Sequence, residues 1–410
     1  MSNSELKNSY NKYYPLPHKG DKRAVLHLDM DTFFVSVERV ADSRLKGKPV
    51  IIGGTSDRGV VSSCSYEARM YGVHSAMPVK MALRLCPEAT LIRGDIDLYN
   101  RYSSVVTDII AERAPVYEKR SIDEYYIDLT GMERFYGCRK WSEELRRYIS
   151  SETGLPLSAG LSINKTVSKI AAGEAKPDGI RSIDNKMVTP FLDPLAVTRI
   201  PMVGSKTGRI LSSMGVSIIA TLRQIPPSVL TGLIGKNGIE IWRRANGIDD
   251  SPVTGCSSKK SVSSERTLQR DSSDITAITA LLSDMTERLS HQLRAEGRNT
   301  SCITVKIRYS DYETHTIQKK IKPTALDHKI LTVVKELFNK LYKRRVLIRL
   351  AGVKLSGLSR EPLQPDLFNN ETGMERLYLS IDNIKKRFGE EIIGRADTLS
   401  CRKGEHPASR

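Results

Sequence analysis

The sequence lacks several features that define other classes of protein. It contains no run of about 18 apolar residues, the length that a membrane-spanning helix requires. Its N-terminal segment has no apolar stretch of the kind found in secretory signals. It has only 6 cysteines and no CxxC pair, which argues against a zinc ribbon and against a disulfide framework. We therefore expect a cytoplasmic protein without membrane association.

Positive charge is in excess and is unevenly distributed. The chain carries 64 Lys+Arg against 47 Asp+Glu, a formal net charge of +17. More than half of this excess lies in residues 259–358, which hold 20 basic and 10 acidic side chains. A basic segment beside nearly neutral ones favours a polyanionic partner, and nucleic acid is the leading case.

The hydrophobic pattern predicts an α+β multidomain protein. In the first 182 residues, strands are predicted at 24–29, 50–54, 116–118, 122–129 and 155–161. Helices are predicted from Phe33 and at 78–85, 97–113, 143–150 and 164–175. Short helices punctuated by glycine follow over 183–250. Strands and helices alternate again later in the chain, with helices at 274–295, 324–342 and 373–388 and strands at 301–309, 313–321 and 346–355.

Two acidic pairs lie beside predicted buried strands. Asp29 and Asp31 come at the end of the first strand, and Asp123 and Glu124 adjoin a later one. Buried carboxylates are costly unless they are paired or bind a metal, and Mg²⁺ prefers such oxygen ligands. Neighbours on a regular strand point to opposite faces, so Asp123 and Glu124 share a site only if the chain bends there. The alternative for each pair by itself is a solvated turn.

Four segments that surround these acids carry a family resemblance. They are LDMDTFFVSVE (28–38), SYEAR with GVHSAMP (65–69 and 72–78), SIDEYYID (121–128) and GLSINKTVSKIAAGEAKPDG (160–179). In this order they resemble the motifs of the Y-family (translesion) DNA polymerases, and the resemblance extends over residues 24–358. It implies a template-directed, error-prone DNA polymerase without proofreading.

The resemblance implies the fold of a right-hand polymerase, with a palm, small fingers, a helix-hairpin-helix thumb and an α+β little finger. The implied boundaries are an N-terminal extension (1–23), palm (24–32 and 97–182), fingers (33–96), thumb (183–256), linker (257–261), little finger (262–358) and tail (359–410).

The resemblance also implies roles for individual residues. Two Mg²⁺ ions would be held by Asp29, Asp123, Glu124 and the backbone carbonyl of Met30, and Glu124 would be the catalytic carboxylate beside the primer 3′-hydroxyl. Phe34 matches the steric gate that excludes ribonucleotides. The other implied contacts with the dNTP are Phe33, Ser63, Tyr66, Arg69 and Lys176. Arginine and lysine are suited to this role because they neutralise phosphate charge.

Further segments suggest contacts with primer-template DNA and a protein partner. Residues 200–207 resemble a helix-hairpin-helix, with Met202 where a glycine is usual, and 233–248 resemble a second such element. The candidate DNA-binding residues are Gly204, Lys206, Lys259, Lys260, Arg266, Lys306, Arg308 and Arg349. The sequence QPDLF resembles the peptide that docks bacterial polymerases on the sliding clamp, through Gln364, Leu367 and Phe368. We expect a monomer.

Two residues depart from the family pattern, and two other functions fit parts of the chain. Tyr125 follows the Asp-Glu pair and His74 replaces a more usual Arg or Lys, and we expect both to alter the shape around the nascent base pair. A haloacid-dehalogenase-like phosphatase would use Asp29 as a nucleophile, but no second half of that motif set is found. A non-catalytic DNA-binding factor would leave both acidic pairs unexplained.

Overall fold

A five-stranded sheet forms the centre of the first unit of the molecule. The structure, a computed structural model, describes residues 23–134, 137–255, 259–360, 371–389 and 392–398, which divide into one unit up to residue 257 and another from residue 258. The sheet has the order β5-β6-β1-β7-β8 and consists of β1 (Val25–Met30), β5 (Val116–Lys119), β6 (Glu124–Asp128), β7 (Leu157–Ser162) and β8 (Ile180–Ser182). The central strand, β1, runs antiparallel to both neighbours.

Alternation along the strands gives this sheet two different faces. One face is apolar, and Leu26, Leu28 and Ile127 pack there against helices α4 (Ile96–Arg113) and α5 (Cys138–Thr153). The residues that alternate with them lie on the other face, and they include His27, Asp29, Glu124 and Tyr126. The polar residues of β1 and β6 are therefore on one face, opposite the main core.

Helix α6 (Lys165–Ala175) packs against the polar face of the sheet. A Cβ atom on Gly160 would lie 2.0 Å from the carbonyl oxygen of Ser168, so only glycine permits the observed distance between helix and strand. The helix also contributes Val167 to the core of the helical region that follows residue 188.

A second, smaller sheet has the order β3-β2-β4. Its elements, with the helices around it, are α1 (Phe33–Ala41), β2 (Val50–Gly53), β3 (Val61–Cys64), α2 (Tyr66–Met70), α3 (Val79–Leu85) and β4 (Thr90–Ile92). The sheet has a core of its own, in which Ile51, Val61 and Ala82 pack together.

Short helices form the described part of the chain between residues 188 and 245. They are α7 (Val188–Leu192), α8 (Ser205–Ser213), α9 (Ile219–Arg223), α10 (Pro227–Ile234) and α11 (Asn237–Ala245). Met202, in the turn before α8, has a φ of +81°. The turn thus keeps a backbone conformation that favours glycine although the residue is methionine.

The second unit is a four-stranded antiparallel sheet with helices on one face. The order is β11-β10-β12-β9, and the elements are β9 (Ser261–Ser272), α12 (Ile275–Ala295), β10 (Asn299–Tyr309), β11 (Thr314–Thr324), α13 (Asp327–Leu341), β12 (Ile348–Ser359) and α14 (Glu371–Phe388). Ile303, Val305 and Val353 pack against Leu289 of α12 and Val334 of α13. The opposite face of the sheet carries no helix among the described residues.

Polar contacts attach α14 to this unit. Asp382 accepts a hydrogen bond from Nε of Arg294 at 2.7 Å, and its Oδ1 lies 2.8 Å from Nδ1 of His291. The hydroxyl of Tyr378, a buried residue, accepts a hydrogen bond from the backbone amide of His328 at 3.2 Å. Helix α14 therefore packs on the helical layer of this unit.

The predicted order of strands and helices is confirmed. Strands β3, β4 and β8 had no prediction, because each has only three or four residues and none is a continuous apolar run like the start of β2. Among the described residues, no helix has both the length and the apolar composition needed to cross a membrane. The peptide QPDLF and the N-terminal residues 1–22 lie outside the described residues.

Candidate active site

A cavity of about 350 Å³ lies at the end of β1 in the first unit. Its lining residues are Asp29, Met30, Thr32, Phe33, Phe34, Ser62, Ser63, Arg69, Ser75, Asp123, Glu124 and Lys176. Three strands and the start of one helix supply most of them. The structure thus brings together the acidic residues and most of the nucleotide contacts that the sequence predicted.

The chain bends just before β6. Such a bend was required if Asp123 and Glu124 were to share one site. Asp29 and Glu124 are direct partners across β1 and β6. Asp123 precedes β6, and its carbonyl oxygen accepts a hydrogen bond from the amide of Met30 at 3.1 Å. Its side chain accepts a hydrogen bond from Oγ of Ser121 at 2.6 Å. Because the regular strand begins only at Glu124, both carboxylates of the pair line the same cavity.

A lysine binds each of two carboxylates. Nζ of Lys176 donates a hydrogen bond to Oδ1 of Asp29 at 2.6 Å. Nζ of Lys169, on α6, donates to both carboxylate oxygens of Glu124 at 2.5 Å. Burial raises the pKa of Asp29 above its ordinary value, and Lys176 opposes that shift. Lys169 was not predicted as a site residue from the sequence. Its position in the last motif, on the side of the predicted helix that faces the sheet, was the signal that could have identified it.

His27 is fully buried behind Glu124. Its Nε2 lies 3.9 Å from Oε2 of Glu124, too far for a hydrogen bond, and its ring lies 4.6 Å from that of Tyr126. Burial lowers the pKa of His27, so the ring is neutral near pH 7. Lys169, hydrogen-bonded to both carboxylate oxygens, lowers the pKa of Glu124, although burial acts in the opposite direction. Glu124 is therefore fully ionised at neutral pH.

Asp31 fixes the loop that carries Lys176. The Asp31 side chain is 1% exposed and accepts hydrogen bonds from Oγ of Ser158 at 2.9 Å and from the amide of Asp178 at 2.7 Å. The hydroxyl of Tyr66 donates a third, longer hydrogen bond at 3.3 Å. The carboxylate is thus satisfied by protein donors and is absent from the cavity lining.

An aromatic stack supports Phe34, one of the residues that line the cavity. The rings of Phe34 and Tyr99 are nearly parallel, at 13°, with their centroids 4.2 Å apart. The hydroxyl of Tyr99 donates a hydrogen bond to Oε1 of Glu38 at 2.6 Å. Phe33 lies beside Phe34, with ring centroids 5.7 Å apart. Neither Tyr99 nor Glu38 was predicted as a site residue, because the two are 61 residues apart and neither carries chemistry of its own.

Three of the predicted contacts with the dNTP lie on β3 and α2, namely Ser63, Tyr66 and Arg69. Ser63 and Arg69 line the cavity, together with the unpredicted Ser62 and Ser75. The guanidinium of Arg69 lies 5.1 Å from the centre of the Tyr66 ring. Tyr66 itself is absent from the cavity lining and is bonded to Asp31, so its ring orients Arg69 from the side.

Tyr125 is not placed as the sequence suggested. Its side chain is fully buried in the apolar face of the sheet, and its hydroxyl lies 2.9 Å from Oγ1 of Thr107. Strand alternation places it opposite Glu124, away from the cavity. His74 is exposed and outside the lining, with Nδ1 2.9 Å from the carbonyl oxygen of Ser75. The expectation that Tyr125 shapes the site is therefore wrong.

The candidate DNA-binding residues fall into different environments. Gly204 and Lys206 lie at the start of α8, and Lys260 is exposed. Lys259 contacts Glu296 at 2.6 Å, and Arg349 lies 3.8 Å from Asp271. Lys306 and Arg308 alternate with the core residues of β10 and so lie on the helix-free face of the sheet. Arg266 pairs with Ala351, a core residue, and lies on the helical side.

The donor set fits a hard divalent cation by its chemistry. Carboxylates of Asp29, Asp123 and Glu124 and the main chain of Met30 line one cavity, and Mg²⁺ prefers oxygen ligands. In the part of the chain that the structure describes, no three acidic, histidine or cysteine side chains stand at metal-ligand spacing, and lysines bind two of these carboxylates.

Comparisons with known proteins place this arrangement in a family. The model described as "impB/mucB/samB family" matches residues 28–173, and that of its C-terminal domain matches residues 259–367. DNA polymerase IV of Dehalococcoides mccartyi (strain CBDB1) is 35% identical over 371 residues, which cover 90% of this chain and 95% of the relative. DNA polymerase IV of Methanoculleus marisnigri is 35% identical over 340 residues, which cover 82% of this chain and 94% of the relative.

Solved structures agree with the sequence relatives. The "Y-family DNA polymerase chimera Dbh-Dpo4(243-245)-Dbh" has a TM-score of 0.76 and 26% identity, covering 82% of this chain and all of the other. The "insertion ternary complex of Dbh DNA polymerase" has a TM-score of 0.60 and 26% identity, with 81% and 98% coverage. The chain belongs to the impB/mucB/samB family, the Y-family of translesion DNA polymerases. It is a DNA-directed DNA polymerase, and this function is favoured over a phosphatase or a non-catalytic DNA-binding factor.

Proposed function

We propose that the cavity is the site at which this polymerase joins a dNTP to a primer 3′-hydroxyl. The observation that carries the proposal is that one cavity is lined by the acids Asp29, Asp123 and Glu124 together with Phe34 and Arg69. Acids suit an attacking hydroxyl and cations, whereas a guanidinium suits the phosphates of the leaving group. Glu124, ionised because of Lys169, is the carboxylate assigned to the primer hydroxyl.

Two Mg²⁺ ions would be held by Asp29, Asp123, Glu124 and the carbonyl of Met30, the oxygen donors of the cavity. When bound, such a pair stabilises the attacking and the leaving oxygens of an in-line displacement. The protein's own contribution is to keep these donors in place, through the bend before β6 and the pairing of β1 with β6.

The nucleotide would lie between the smaller sheet and the start of α1. Arg69 and Lys176 supply positive charge for the triphosphate, with Ser63 as a hydroxyl donor and Tyr66 holding Arg69 in place. The start of α1, at Phe33, presents free backbone amides, which favour phosphate oxygens. The ring of Phe34 lines the cavity and is the proposed barrier to a ribose 2′-hydroxyl.

Removal of single carboxylate charges tests the assignment. We expect Asp123→Asn and Glu124→Gln each to reduce primer extension with Mg²⁺ and dNTPs by at least about 10²-fold, because each removes a carboxylate ligand from the proposed reacting centre. Asp128→Asn, at the other end of the same strand and outside the cavity lining, is the matched control. Retained extension in both site variants, with DNA binding intact, would refute the site.

The domains implied by the sequence are proposed with their original boundaries. The five-stranded sheet would be the palm, the region with the smaller sheet the fingers and the helices after residue 188 the thumb. The four-stranded sheet with α12 and α13 would be the little finger, and α14 would belong to the tail. Primer-template DNA would be contacted by Gly204 and Lys206 of the thumb. On the little finger, the helix-free face with Lys306 and Arg308 is the proposed contact, because it is open and basic.

The sliding clamp is the proposed protein partner, through Gln364, Leu367 and Phe368 of the sequence QPDLF. Two apolar side chains on a short peptide suit a hydrophobic pocket on the clamp. Deleting residues 364–368 should abolish stimulation of primer extension by a bacterial clamp, and extension without the clamp should keep its rate. Stimulation that survives the deletion would refute the docking role. A monomer in the cytoplasm is the proposed form and location.

A further inference from the structure

The helix-free face of the second unit has a defined pattern of charge. The strand registers place sixteen residues there in four rows across β11, β10, β12 and β9. Row by row they are Thr314, Arg308, Leu350 and Thr267; Thr316, Lys306, Gly352 and Glu265; Gln318, Thr304, Lys354 and Ser263; and Lys320, Cys302, Ser356 and Ser261. Four of these residues are basic, and Glu265 is the one acidic residue among the sixteen.

Glu265 reaches Lys306 across an intervening strand. The carboxylate oxygens of Glu265 accept hydrogen bonds from Nζ of Lys306 at 2.8 and 3.0 Å. Residue 352, between them in the same row, is a glycine, and a Cβ atom there would lie 2.7 Å from Cγ of Glu265. The Glu265 side chain therefore occupies the space that any other residue at position 352 would fill.

We propose that Glu265 acts as an intramolecular counter-ion that occupies Lys306 and thereby weakens the hold of this face on DNA. The inference rests on the proposed function, in which the face contacts the phosphate backbone. Carboxylate and phosphate oxygens compete for the same ammonium group, so Lys306 binds DNA only after it leaves Glu265. The carboxylate also repels nearby phosphates directly.

The exposure of the pair makes this competition reversible. The side chains of Lys306 and Glu265 are 27% and 40% exposed, so water can replace either partner. Exposed ion pairs contribute little to stability, so a phosphate contact can offset the loss of this pair. Glu265 thus lowers the affinity of this face for DNA without preventing DNA from binding there. A polymerase that must release its template requires such a moderate affinity.

Neutralising Glu265 at constant shape tests the proposal. We expect Glu265→Gln to bind primer-template DNA about 3- to 10-fold more tightly at moderate salt, because one more lysine becomes available. The slope of log Kobs against log[salt] should steepen by roughly 0.9, the value for one added phosphate contact. Fluorescence anisotropy over a range of salt concentrations measures both quantities.

A double-mutant cycle separates this role from a simple loss of negative charge. Lys306→Met should weaken binding little in the wild-type protein, where Glu265 occupies the lysine, and several-fold more in the Glu265→Gln background. Equal effects of Lys306→Met in both backgrounds would overturn the proposal. Glu336→Gln removes the same charge on the helical side, where Glu336 contacts Lys319 at 2.7 Å, and should leave the salt slope unchanged.

A neighbouring lysine distinguishes failure of this inference from failure of the proposed DNA contact. Lys354 lies one row from Lys306 on the same face, and Lys354→Met should weaken binding in every background. If Lys354→Met and Arg308→Gln leave affinity unchanged, the face does not contact DNA and the proposed function is wrong there. If they weaken binding but Glu265→Gln does not strengthen it, the counter-ion role alone is wrong. Equal melting temperatures of the variants establish that the fold is intact.

Discussion

Tyr99 supports Phe34 through its ring and is itself held by Glu38 through its hydroxyl. The Phe34 and Tyr99 rings stack at 4.2 Å, and the phenol donates to the carboxylate at 2.6 Å. Because Tyr99 is fully buried, it has no freedom to move away when a ribose 2′-hydroxyl presses on Phe34. The rigidity of the proposed gate therefore depends on Tyr99, which lies outside the sequence motifs, and on Glu38, the last residue of the first motif.

Weakening this support should lower discrimination against ribonucleotides. We expect Tyr99→Leu to raise the incorporation of rNTPs relative to dNTPs by about 10-fold, because loss of the stack permits Phe34 to shift. Tyr99→Phe keeps the ring and removes only the hydrogen bond, so it should change the ratio by less. Single-nucleotide insertion kinetics give the ratio of kcat/KM values. An unchanged ratio in Tyr99→Leu would show that Phe34 is held by other contacts.

Asp31 should matter for nucleotide binding although it does not line the cavity. We expect Asp31→Ala to reduce the free energy of unfolding by about 2–4 kcal/mol, because the hydrogen bonds of Ser158 and the Asp178 amide lose their acceptor. The loop with Lys176 would then be less well placed, and KM for dNTPs should rise. Ser158→Ala removes one of these donors and should show a smaller change in both quantities. Urea denaturation and steady-state kinetics measure them.

The ion pairs of α14 predict a dependence of stability on pH. Burial opposes ionisation of Asp382, but the contacts with Arg294 and His291 outweigh it and lower the pKa of Asp382. A lowered pKa stabilises the fold fully above the unfolded-state value, about pH 4, and this stabilisation is lost as the pH falls through the folded-state value. Asp382→Asn should therefore cost about 1–3 kcal/mol at pH 7 and less at pH 3.

Urea unfolding at both pH values tests this, with Asp397→Asn as the matched control. The contact of Asp397 with Lys335 is longer, at 3.4 Å, and more exposed, so its loss should matter little. If Asp382→Asn lowered the free energy of unfolding equally at both pH values, the stabilising effect of Asp382 would come from packing and not from its charge. Limited proteolysis of α14 would show whether this helix is the part released.

Glycine should be more stable than the native methionine at position 202. Its φ of +81° strains any residue with a Cβ atom, by about 1–2 kcal/mol, whereas glycine loses about 0.5–1 kcal/mol in chain entropy. Met202→Gly should therefore raise stability by up to about 1 kcal/mol. Met202→Val, with a branched side chain, should lower it. Thermal unfolding distinguishes them, and a destabilised glycine variant would mean that the methionine side chain makes compensating contacts.

The acidic motifs were predictable because each consists of chemistry-bearing residues close together in the chain. The bend that brings Asp123 beside Glu124 was predicted as a requirement, because two neighbours on a regular strand point to opposite faces of the sheet. The supporting residues were not foreseen. Lys169 meets Glu124 only because α6 packs on the sheet, and Tyr99 meets Phe34 across 65 residues of chain.

The misplacement of Tyr125 has the same origin. Its neighbours in sequence, Asp123 and Glu124, line the proposed active site. Strand alternation nevertheless directs the Tyr125 side chain into the core, where its hydroxyl lies within hydrogen-bond distance of Oγ1 of Thr107. Arg266 and Lys306 illustrate the point on the other sheet, since both are basic and only the strand register shows that they lie on opposite faces. Local motifs thus identify reacting groups, whereas register decides which charges can act together.

Gly160 links two distances that would otherwise be independent. It fixes how closely α6 approaches the sheet, and α6 carries both Lys169, which holds Glu124, and Val167, which packs with the helices after residue 188. The separation between the acids and that helical region is therefore set by a contact between two backbones, that of Gly160 and that of α6. No side chain at this contact could change its rotamer to compensate for a shift. A methyl group at this one position would shift Lys169 relative to Glu124 and displace the helices after residue 188 at the same time.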